Sequence, residues 1–181
     1  MNKKILIRFS FVFAVLFQLL LLFSFIYDKE DIINNGSEFK FMITKFKPSN
    51  LYGRNYICLN LKEEFISDEK IQIFDNLFVS IKENSDGFAS ITSISKERPV
   101  DTSDYVKAIS FHSRYGTTNY MLPFNIFYFK EVYADEIKNI YKKCIKDSSK
   151  KVYALVSIKN GKGLVKDLFI DDVSIMDMIE K

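Results

Sequence analysis

The sequence predicts an α+β protein in which a single N-terminal transmembrane helix is followed by a β-rich antiparallel domain carrying one main amphipathic helix. Three observations predict it: a long apolar run near the start, several stretches that alternate apolar and polar residues, and one stretch with helical spacing. With 181 residues, 48% of them apolar and 15% aromatic, the chain is large enough for one packed domain and an appendage.

The appendage comes first. Between Phe9 and Ile26 only Ser10, Gln18 and Ser24 are polar, and the run extends back to Ile5. As a helix those 22 residues reach about 33 Å, enough to cross a bilayer core. A cleaved signal peptide has a shorter apolar region, about 7 to 15 residues, closed by small residues, whereas this run continues through Phe23, Phe25, Ile26 and Tyr27. A lipoprotein signal needs a cysteine directly after the run, and the first cysteine is Cys58. A buried core helix would carry a polar stripe, which is missing. The expectation is an uncleaved anchor within residues 1–27, embedded in the lipid bilayer of the cytoplasmic membrane. Lys3, Lys4 and Arg8 precede it and Lys29 and Lys40 follow, a bias that places the N-terminus inside and the domain outside. Gln18, in mid-span, is either a tolerated amide or a hydrogen-bonding group for another helix.

Removing those three cations changes the meaning of the charge. The chain has 26 basic and 23 acidic residues with no acid before Asp28, so 23 stand against 23 in the rest. That neutral balance, without a basic stripe interleaved with aromatics, argues against nucleic-acid binding.

Residues 28–38, beginning "DKEDIINNGS", read as a connector ending in a turn. The domain is expected over 39–181. In it Phe39, Phe41 and Ile43 alternate with Lys40, Met42 and Thr44 as a strand, which Pro48 is expected to stop. Ile57, Leu59 and Leu61 share one face of a second strand. "NLFVSIKE" and "FASITSIS" flank "NSDG" as a hairpin, Tyr105 to His112 alternates again, and "VYALVSIKNGKGLVKDLFI" folds back at Asn160-Gly161. From Ile126, the residues Phe129, Tyr133, Ile137, Ile140, Tyr141 and Cys144 recur at helical spacing, predicting a helix over about 126–146 with Asn125 as a candidate N-cap.

The residue inventory points away from catalysis. His112 is the only histidine, and no nucleophile elbow accompanies it. One histidine with two distant cysteines has no metal-ligand spacing, so no metal, cofactor or small-molecule ligand is expected. Cys58 and Cys144 read as small apolar residues, with a disulfide left open if the domain is extracytoplasmic. Neighbouring carboxylates, Glu63-Glu64 and Asp171-Asp172, point to opposite faces if they lie in strands. The expectation is a non-enzymatic protein. The alternative is a membrane-anchored peptidase resembling type I signal peptidases, with Ser37 as nucleophile and Lys96 as base; it lacks a Ser-Met pair after the anchor.

The stretch "PSNLYGRNYICLNL" resembles the signature of the GDYXXLXY family of bacterial membrane-anchored proteins. Pro48, Leu51, Tyr52, Tyr56 and Leu59 match in register; Arg54 stands where the family has glycine, Asn55 where it has aspartate, Leu61 where it has the last tyrosine, and Gly53 is displaced by one. "SDGFASITSISKERP", "YGTTNYMLP" and "VYALVSIKNGKGLVKDLFIDD" are similar to later parts of the family, extending the likeness over most of residues 39–172. The resemblance implies a single anchor bearing a small extracytoplasmic domain of uncharacterised role, encoded beside polytopic membrane proteins and hence with such a protein as partner. It carries over no catalytic residues. The motif itself reads either as a tight turn in which Gly53 and Asn55 supply backbone freedom, or as a recognition surface of Tyr52, Arg54 and Tyr56.

Overall fold

The computed structural model describes residues 3–51, 54–61, 75–100, 104–112, 118–147 and 150–179. Helix α1 (Lys3–Asn35) opens the chain; from Phe9 to Tyr27 its apolar residues are exposed on every side, as a helix without a polar stripe requires, whereas Ile32 near its end is buried. Its Arg8–Asn35 portion is long and apolar enough to cross a membrane. The helix runs on through Asn35, across most of the segment expected to be a connector. The reason is tertiary: Asp28 and Asp31, one turn apart, meet Lys162 and Lys159 at 3.2 and 2.7 Å. Asn35 adds an amide hydrogen bond to Asp31 at 2.8 Å.

The domain is built from two antiparallel sheets over one core. The larger contains β1 (Ser37–Leu51), β2 (Arg54–Leu61), β7 (Ile126–Phe129), β8 (Val152–Lys159), β9 (Lys162–Ile170) and β10 (Val173–Ser174), in the order β10-β9-β8-β1-β2-β7. The smaller contains β3 (Asn76–Glu83), β4 (Ala89–Ser95), β5 (Tyr105–His112) and β6 (Thr118–Met121), in the order β4-β3-β5-β6. They join where Lys107 donates its N–H to the carbonyl of Gly161 at 2.8 Å. Inward residues of both sheets form one cluster that includes Phe41, Ile57, Leu77, Val106, Phe124 and Val156.

Period-two reading holds strand by strand. Phe39, Phe41 and Ile43 are buried in β1, and Ile57, Leu59 and Leu61 in β2. A bulge between Ile43 and Lys45 then resets the alternation, so that Phe46 also turns inward. The hairpin at "NSDG" is closed by Asn84, whose Oδ1 accepts the N–H groups of Asp86 and Phe88, both at 2.9 Å. At the C-terminal hairpin Asn160 and Gly161 take φ of 52° and 78°, the paired positive values of a two-residue primed turn.

Two expectations are corrected. Pro48 does not stop β1; it lies inside the strand, opposite Ile57. Among the described residues β1 pairs with β8 only over Ser37–Met42 and with β2 from Ile43 onward, so at Pro48 it has a described neighbour on one side. A proline fits there because its missing N–H faces the unpaired side. The helix expected over about 126–146 begins later: Ile126–Phe129 is strand β7, Glu131–Tyr133 a 3-10 turn, and helix α2 spans Ala134–Lys146. Asn125 is therefore no N-cap; its carbonyl accepts the N–H of Leu59 at 2.9 Å. The apolar face of α2 lies as expected, with Ile137 fully buried and the Tyr141 ring edge-on to Phe46 at 5.2 Å. Burying one such isoleucine contributes about 1.5 to 3 kcal/mol. A short helix α3 (Ile175–Ile179), not anticipated from the sequence, closes the domain with Ile175 buried.

Candidate functional site

The motif occupies the tip of the β1–β2 hairpin. Leu51 pairs with Arg54, leaving Tyr52 and Gly53 between them, outside the described residues. Strand phase divides its other members. Leu59 is in the core, Asn55 is buried, and Pro48 shares their face of the sheet. Asn50 donates to the Asn55 carboxamide oxygen at 3.0 Å, tying the strands just below the turn. Arg54 and Tyr56 face the other way. Arg54 is exposed and the Tyr56 ring lies 6.2 Å from that of Tyr128, its cross-strand partner on β7. Thus the inward half of the motif secures a hairpin while its outward half presents Arg54 and Tyr56 beside Tyr128 of β7. Tyr128, 60% exposed, lies outside the motif and is not legible from it, because the spacing from Ile126 onward predicts a helix.

A second built feature joins α1 to the domain. Gly36 donates its N–H to the Ile32 carbonyl at 3.0 Å, and the same carbonyl accepts the hydroxyl of the buried Ser157 at 2.5 Å. A Cβ at Gly36 would stand 2.4 Å from Ser157 Oγ, 2.5 Å from the Ile32 oxygen and 2.9 Å from the Ile158 oxygen, so glycine is the residue this junction admits. Lys166 pairs with Glu38 just beyond it, at 2.5 Å. The helix is thereby fixed onto the β8–β9 hairpin.

A cavity of about 380 Å³ opens beside the β3–β4 turn, floored by Phe41, Leu61, Phe88 and Leu122 and bordered by Asn84, Asp86 and Lys151. The Lys151 ammonium sits 4.4 Å over the Phe88 ring. Nearby, Tyr153 stacks on Phe169 at 5.0 Å and donates its hydroxyl to Asp172 at 3.0 Å. Burial, and then that carboxylate, push its phenol up to about 12. Asp171 and Asp172 form a turn with φ of 51° and 63° rather than a strand; Asp171 also accepts the Lys151 N–H at 2.9 Å.

The remaining sequence candidates lie apart. Ser37 opens β1 opposite Ile158, whereas Lys96 follows β4, 49% exposed and ion-paired with Asp75 at 2.6 Å. His112 ends β5. Glu63 and Glu64 lie outside the described residues. Cys58 and Cys144 are free, half-buried thiols; Cys58 is on the outward face of β2 and Cys144 packs against the core, where burial pushes its thiol up. Among the described residues no three of His, Cys, Asp and Glu converge as a metal site.

These features define a class: a β-rich, two-sheet domain fixed to the end of a long helix whose apolar part, Phe9 to Tyr27, is exposed. The family model for GDYXXLXY protein matches residues 18–168, from within α1 into β9, and the chain belongs to that family. No curated protein matches the chain, and no solved structure does.

Proposed function

We propose that this chain is a non-enzymatic, membrane-anchored accessory protein whose domain stands on the outer side of the cytoplasmic membrane, beside an integral membrane partner. The observation that carries the reading is the combination in α1. Its apolar part is exposed on every face, while its last turns are polar and docked on the β8–β9 hairpin. A helix of that kind finds its apolar surroundings in lipid, and its docked end holds the domain at the membrane surface instead of on a loose tether. The positive charges of Lys3, Lys4 and Arg8 support an inside N-terminus. A partner reading is supported by the exposed Arg54 and Tyr128 and the half-buried Tyr56 between them, residue types that dominate binding energy at protein interfaces.

Two measurements test it. Protease added to intact spheroplasts is expected to digest the domain and leave a short anchor fragment; full protection until lysis overturns the topology. Crosslinking in intact membranes, followed by purification in mild detergent, is expected to recover an integral membrane protein, and recovery of this chain alone overturns the partner.

A further inference from the structure

We propose that the open edge of β7, with the outward face of Arg54, Tyr56 and Tyr128, takes up an extended acidic segment of the membrane partner as an added strand. This rests on the partner reading above and names the surface that would serve it.

The backbone phase comes from Pro48. Lacking an N–H, it cannot form a hydrogen-bonded pair with Ile57, so the N–H and C=O of Ile57 turn away from β1 and toward β7. Leu59 agrees, since its N–H reaches Asn125 on that side at 2.9 Å. Ile57 opposes Phe127 and Asn55 opposes Phe129, so Phe127 and Phe129 use their backbone groups on β2. Alternation then turns the N–H and C=O of Ile126 and Tyr128 to the open side, where β7 has no neighbouring strand among the described residues. Two donors and two acceptors in register are what an incoming strand pairs with.

The side chains specify the occupant. Arg54, Tyr56 and Tyr128 share one outward face, and Lys47, opposite Cys58, belongs to it as well. Lys130 stands directly beyond β7. Arg54, Lys47 and Lys130 are exposed and have no ion pair among the described residues; Glu131 is the adjacent carboxylate. A second copy pairing β7 to β7 would bring these cations together, which like-charge repulsion opposes. An acidic segment meets both the cations and the two phenolic rings. The other sheet edges differ: β4 contains no charged or aromatic residue, β6 no charged residue, and β10 has two residues.

The test uses the full chain in its own membranes, with the photo-crosslinking residue p-benzoylphenylalanine at position 128. The expected product is a crosslink to an acidic segment of an integral membrane protein. Its yield should fall at least tenfold with Arg54→Glu, by charge, and with Ile126→Pro, which deletes an outward N–H that an edge strand can spare. Each variant should keep the melting temperature of its parent; if Ile126→Pro does not, Tyr56→Ala and Lys130→Glu replace it, with the same loss of yield expected. Crosslinks to a second copy or to lipid alone, or a yield indifferent to Arg54→Glu, overturn the strand-addition proposal. If a membrane protein is still captured by probes elsewhere on the domain, the partner reading survives; if no position captures one, that reading fails too.

Discussion

Replacing Gly36 by alanine should detach the domain from its helix without unfolding the domain. The added methyl would stand 2.5 and 2.9 Å from two backbone oxygens and 2.4 Å from Ser157 Oγ. The hydroxyl can rotate away, but doing so gives up its bond to the Ile32 carbonyl; the backbone oxygens belong to a helix and a central strand and yield little. Overpacking of this kind costs about 1 to 3 kcal/mol, and the lost buried hydrogen bond about 1 more. The ion pairs Asp31–Lys159 and Asp28–Lys162 break on opening in parent and variant alike, so they drop out of the difference. A shift of about 2 to 4 kcal/mol raises the open population of the junction about 30-fold to several hundred-fold. Limited trypsinolysis of the full chain reads it, as faster cleavage after Lys29, while the domain's thermal transition stays near that of the parent. An unchanged cleavage rate in Gly36→Ala would show that the helix is not held as described.

Gly163→Ala should act on the core instead, because its Cβ would lie 2.4 Å from Cδ1 of the buried Phe124 ring, itself packed against Phe41 at 4.9 Å. Overpacking by about 1 to 3 kcal/mol lowers the melting temperature by about 2 to 12 °C; Phe124→Leu in the same chain should recover part of it, and a shift under about 1 °C refutes the contact. Tyr153 should be a late-ionising phenol. Its folded value is raised from 10.0 to about 12, so its contribution is fully present below pH 10 and is lost as pH rises toward 12. Alkaline difference spectra of the parent against Tyr153→Phe should therefore lack a phenolate step near pH 10. Cys144, its thiol raised by burial, should react slowly with maleimide at pH 7 until the protein is unfolded, and non-reducing electrophoresis should show no intramolecular disulfide.

Much of this architecture can be read along the chain, because a half-buried strand writes its two faces into alternate residues. Phe39, Phe41, Ile43, Ile57, Leu59 and Leu61 all lie on the face their spacing assigns. The errors share a cause: each depends on a neighbour distant in sequence. "IFYF" fits either period, and only β2 alongside makes it a strand. Pro48 looks like a stop until β1 is seen to have, among the described residues, a neighbour only on the β2 side there. "DKEDIINN" is polar enough for a connector, and Lys159 and Lys162 keep it helical. The site was half legible. The motif marks Arg54 and Tyr56, while Tyr128, more than seventy residues away, joins them only through the β2–β7 pairing.

The placement of β1 between β8 and β2 sets an order of events at birth. β1 can find β2 as soon as both have been made, but Ser37 must wait for Ile158, some 120 residues later. At about 5 to 20 residues per second that interval is about 6 to 24 s. Throughout it, the Ser37–Met42 part of β1, with phenylalanines at 39 and 41, stands next to the already apolar α1 without β8, its strand partner among the described residues. The C-terminal hairpin is thus the last piece to arrive and the one that covers the first. A chain interrupted before Val152 would leave the strand that follows α1 open to any passing edge.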